Sequence, residues 1–71
     1  MTSVLEDDVT YLFNTNRHHP YEHQKAICTS TLNFLNSINA AEQYSPADLV
    51  YMRSVWKKVI NLVESKYGPN S

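Results

Sequence analysis

Glycine occurs once in this 71-residue chain, at Gly68, and cysteine once, at Cys28. A single glycine near the end excludes a glycine-rich loop for cradling phosphates. A single cysteine excludes a disulfide framework. The opening stretch, MTSVLEDDVT, is acidic where a secretory signal would be basic and then apolar. Together these features lead us to expect a reducing compartment, the cytoplasm. No uncharged apolar run approaches the roughly 18 residues needed to span a bilayer, so no membrane partner is expected. Glycosylation acceptors, lipidation motifs and internal repeats are likewise missing from the sequence.

Charge of one sign is also lacking. The net charge is −1, which argues against a protein held to nucleic acid by phosphate contacts. The distribution is uneven: residues 1–24 set Glu6, Asp7, Asp8 and Glu22 against Arg17, a net −3, whereas residues 25–71 sum to +2. A dipole of this size steers a partner only weakly.

What is present reads as helix. A chain this short makes one domain, 1–71, and buries only about 60% of its unfolded surface, so its core is marginal. Ser3 and Glu6 have capping-box spacing, and Glu6, Asp7 and Asp8 suit the positive end of a helix. Leu5, Val9, Leu12 and Phe13 then form one apolar face. This predicts a first helix over about 3–13, ended by the NTNR stretch. Pro20 suits the first position of a second helix, because its missing amide proton would be unpaired there. Ile27, Thr31, Phe34, Leu35, Ile38 and Ala41 supply a stripe, with Cys28 and Leu32 on its shoulder, predicting helix over about 20–42. The third start is the clearest: Ser45 as N-cap, Pro46 at the first helical position and Asp48 as the capping acid. Leu49, Met52, Trp56, Val59 and Val63 continue it as a seam, and Gly68 and Pro69 stop it, giving helix over about 46–67. So short a link after the second helix makes the two long helices antiparallel neighbours, each about 30 Å long. The expected fold is all-α: a long antiparallel helical hairpin with a short N-terminal helix laid across it, a three-helix bundle, dimeric.

The dimer expectation comes from surplus apolar surface on the third helix. Tyr51, Val55 and Leu62 widen its apolar arc by roughly 80° at 100° per residue. A first helix of about three turns covers only part of that length. Tyr51, Val55 and Leu62 are therefore the candidate partner interface, either a homodimer seam or a groove for another protein's helix; the alternative is that the first helix covers this shoulder as core.

The residues that carry chemistry give weaker signals. His18, His19 and His23 all lie within NRHHPYEH. His19 and His23 have the i, i+4 spacing of a helical zinc pair, but the residue before proline is pushed out of helical geometry. Cys28 lies about 140° further round the helix, and a structural zinc needs four protein ligands. No metal and no cofactor are expected; the segment reads as a solvated helix start. On a half-buried stripe Cys28 would be an inert thiol. The adjacent acids Asp7 and Asp8 point apart, and a small helical hairpin offers little concavity for a substrate. No enzyme is expected. Arg53, Lys57 and Lys58 could reach phosphates if the third helix entered DNA, although Asp48 and Glu64 flank that row.

The reading that follows is a small protein-binding regulator or adaptor, acting on an unidentified partner protein along the third helix. The alternatives are a DNA-binding regulator using Arg53, Lys57 and Lys58, and a secretion-type chaperone, the latter by analogy of fold alone.

Overall fold

The computed structural model describes residues 4–67. Within them the chain forms four helices: α1 (Val4–Asn16), α2 (Tyr21–Leu35), α3 (Ile38–Gln43) and α4 (Pro46–Tyr67). The expected cap at Ser3 and the stop at Gly68 and Pro69 lie outside the described residues.

The all-α class matches expectation, but the boundaries differ in instructive ways. The first helix runs on to Asn16, because the residues expected to break it tie themselves back to it. Thr15 Oγ1 donates to Tyr11 O at 2.8 Å and Asn16 Nδ2 to Leu12 O at 2.9 Å. Each side chain bonds the carbonyl four residues back, a contact compatible with helix and not an alternative to it. Pro20 stands one residue outside α2, as its N-cap with φ −57° and ψ 153°, and its carbonyl accepts the first helical bond, from Gln24 N at 3.0 Å.

The single helix expected over 20–42 is two helices. Asn36 Nδ2 donates to Leu32 O at 3.0 Å, and Ser37 Oγ donates to Phe34 O at 2.5 Å. Ser37 is itself extended, with ψ 163°, and its Oγ accepts from Ala40 N at 3.3 Å. Short polar side chains that bond the nearby backbone offer it an alternative to helix, and two in succession end α2 and cap α3. The start of α4 follows the sequence closely: Ser45 Oγ accepts from Asp48 N at 3.2 Å, and Ser45 O accepts from Leu49 N at 3.0 Å.

The longest helix, α4, has 22 residues, about 33 Å at 1.5 Å per residue, and it organises the rest. Both α1 and α2 pack on it and scarcely meet one another, and α3 folds back beside its start. Lys25 approaches Glu64 at 4.0 Å, and Asn36 meets Arg53 at 3.1 Å. The start of α2 thus lies by the end of α4, and the pair is antiparallel.

The core has two parts. Val9, Cys28, Val55, Val59 and Val63 form the larger, where α1, α2 and α4 come together. Leu35, Ala40 and Leu49 form the smaller, under α3. Trp56 packs against both. The buried line of α2 is Gln24, Cys28 and Leu35, rotated from the expected stripe. Phe34 is exposed, and Ile38, beyond the break, is 78% exposed.

Candidate interaction surface

The flank of α4 expected to meet a partner is divided by α1, which crosses it. Val55 is only 4% exposed and sits in the larger core beside Val9. It is a core residue and not an exposed contact, which corrects the expectation that grouped it with Tyr51 and Leu62. The cause is the way α1 lies over the valine, with Val9 packed in the same cluster. Tyr51 and Leu62 emerge on either side of the crossing, 38% and 41% exposed. The hydroxyl of Tyr51 donates to Asp8 Oδ2 and so ties α1 to α4. That bond to a carboxylate holds the Tyr51 phenol above its ordinary pKa, with desolvation and the carboxylate's charge adding to it.

The crossing leaves two clefts that share no residue. The larger, about 550 Å³, is bounded by Glu6, Val9 and Thr10 of α1 and by Lys58, Asn61, Leu62 and Ser65 of α4. The smaller, about 210 Å³, is bounded by Asp8, Tyr11 and Leu12 of α1 and by Tyr51, Met52, Val55 and Trp56 of α4. On a helical wheel Glu6 and Thr10 lie on one side of Val9, and Asp8 and Tyr11 on the other, so the clefts flank α1 on opposite sides.

The basic residues expected to face nucleic acid do not form one free row. Arg53 is half-buried: its Nε donates to Leu49 O at 3.2 Å and its Nη1 to Asn36 Oδ1 at 3.1 Å. It clamps the α2–α3 break onto α4, a use the sequence did not signal. Lys57 and Lys58 are exposed, and Lys58 borders the larger cleft.

The three histidines come together, against the expectation that Pro20 would separate His19 from His23. The His18 and His19 rings lie 4.4 Å apart between centroids, and His19 and His23 4.9 Å apart, both pairs tilted. Proline does keep His19 out of the helix, but the turn brings its ring back over the first turn of α2. Gln24 fixes that turn. It is 2% exposed, and its Nε2 donates to His19 O at 2.6 Å and to Arg17 O at 3.5 Å. Among the described residues, no group of three histidine, cysteine or acidic side chains is placed to hold a metal ion. Desolvation first, and then the charges of His18 and His23, hold the His19 imidazole below its ordinary pKa. Cys28 is buried in the larger core, and burial pushes its thiol up. A thiol kept protonated in this way is a poor nucleophile.

No family model, curated protein or solved structure matches this chain. Among the described residues no helix is long and apolar enough to cross a membrane.

Proposed function

We propose that this chain is a protein-interaction module, a regulator or adaptor without catalysis of its own, that engages a partner on the flank of α4 beside α1. The observation that carries this reading is Leu62, a large apolar side chain 41% exposed at the lip of the 550 Å³ cleft. A domain with a marginal core gains from having such surface covered. A second copy of the chain is one candidate partner, and a different protein is the other. The buried free thiol of Cys28 suits action in a reducing compartment. The nucleic-acid alternative is weakened because Arg53 is spent within the fold.

A photo-crosslinking amino acid placed at Leu62 in the native host tests the reading, with Ser30, exposed on α2, as the control position. A discrete adduct from position 62 that is absent from position 30 is expected. Its mass separates a homodimer from a heterologous complex. Equal adducts from both positions, or none from position 62, would refute the reading. Leu62→Glu should abolish the adduct of a crosslinker at neighbouring Ser65 and leave the thermal melt unchanged.

A further inference from the structure

The smaller cleft has a more definite chemistry than the larger. Its depth runs from apolar to polar. Val55 lies at the bottom, Leu12, Met52 and Trp56 are half-buried, and Tyr11 and Tyr51 stand at the rim, Tyr11 being 69% exposed. One carboxylate, Asp8, opens onto it, and none of the seven lining residues is basic. Tyr51 occupies Asp8 Oδ2, and a carboxylate has acceptor sites on both oxygens, so Oδ1 can take a further donor. Three aromatic rings and one acid around a small opening favour a cation, since the ring faces are negative. At about 210 Å³ the cleft is of a size for one charged head and the stem beneath it. The larger cleft, by contrast, sets Glu6 against Lys58 and prefers neither sign.

We propose that the smaller cleft is a receptor for the charged side chain of a lysine or arginine presented by a partner protein, a role that rests on the interaction reading above. The ligand's aliphatic stem would lie on Leu12 and Met52, as such stems lie along apolar surfaces elsewhere. Its head would meet the faces of Tyr11, Tyr51 and Trp56 and the open oxygen of Asp8.

The test uses the full chain and four probes: the N-acetyl methylamides of lysine, arginine and norleucine, and tetramethylammonium. Side-chain resonances of Tyr11, Tyr51 and Trp56 are followed by NMR, with Trp56 fluorescence alongside. Lysine and arginine amides should shift these signals saturably, and norleucine, with the stem but no charge, should not. Tyr11→Ala and Asp8→Asn should each weaken binding about two- to fivefold. Both variants should melt like the wild type, since Tyr11 is mostly exposed and an asparagine oxygen still accepts from Tyr51. Norleucine binding as well as lysine would reduce the cleft to an apolar groove and overturn the proposal. Tetramethylammonium binding as well as lysine would overturn the side-chain part, leaving a site for small free ammonium ions. A lack of response to every probe would also sink it. The crosslink at Leu62 is independent of this cleft: an adduct without a cation response removes the cleft proposal alone. A cation response without an adduct removes the interaction reading, and with it the partner named here.

Discussion

Replacing Trp56 with alanine tests whether the two parts of the core act as one. Trp56 touches the Val9–Cys28–Val55–Val59–Val63 cluster on one side and the Leu35–Ala40–Leu49 cluster on the other. Truncating a buried aromatic costs about 3–5 kcal/mol. Trp56 is half-buried, so the lower end applies, about 3 kcal/mol. A single core in a chain this small supplies about 3–5 kcal/mol in all. At about 4–8 °C per kcal/mol for a domain of this size, the melting midpoint should fall by about 12–24 °C. Val59→Ala is the comparison. Val59 is fully buried, and losing two methyl groups with partial collapse costs about 2–3 kcal/mol. The two variants should differ in kind as well as in size. Val59 lies within the larger cluster only, so its loss should lower the whole molecule together. Loss of Trp56 should uncouple α3 and the start of α4, and their amides should exchange before those of α2 and the rest of α4. Far-UV circular dichroism melts with residue-resolved hydrogen exchange read both effects. A drop under about 4 °C, or exchange that rises uniformly, would refute the idea that Trp56 joins the two clusters.

Arg53→Ala should cost about 1–2 kcal/mol in a denaturant titration, since it removes charge-assisted bonds from a half-exposed clamp. Arg53→Lys should recover little, because a lysine lacks the fork that reaches Leu49 O and Asn36 Oδ1 together; full recovery would show that charge alone matters there. Lowering pH should destabilise the fold through His19. Its folded pKa lies below the unfolded value near 6.5, so the unfolded chain binds more protons as pH falls below that value, and stability present at neutral pH is lost progressively toward and through the lower folded pKa. The midpoint of His19→Gln should fall less than that of the wild type between neutral pH and pH about 5, and identical pH profiles would count against the histidine cluster.

Helix α4 was legible because its signals are local and agree: Ser45, Pro46 and Asp48 at the start, and one unbroken apolar seam. The break in the second helix was not. Periodic apolar residues continue from Leu35 through Ile38 to Ala41, and a pattern counted across the break averages two helices that do not share a face. Asn36 and Ser37 were the available signal, two short side chains able to bond the backbone in succession. Gln24 was missed for a different reason. Pattern reading sends a glutamine to the surface, and only the fold reveals two backbone carbonyls that need its amide. Val55 could not be told from Tyr51 and Leu62 by angle on the wheel, because what separates them is where α1 crosses. That depends on how α1 docks on α4, with Val9 in the core beside Val55 and Asp8 bonded to Tyr51.

The division of that flank follows from how unequally the helices are anchored. At one end α2 is tied down by Gln24, which donates to the carbonyls of His19 and Arg17, and at the other by Asn36, which accepts from Arg53. Burying Gln24 leaves its Oε1 without a partner among the described residues, a cost of about 1–3 kcal/mol for an unsatisfied buried group. Between these anchors α2 packs on α4 through Cys28 and Leu35. By contrast α1 fully buries only Val9. Its position over Val55 rests on that valine, on partly buried neighbours such as Leu5 and Leu12, and on the bond from Tyr51 to Asp8. Both clefts are therefore bounded by a helix whose one fully buried side chain is Val9.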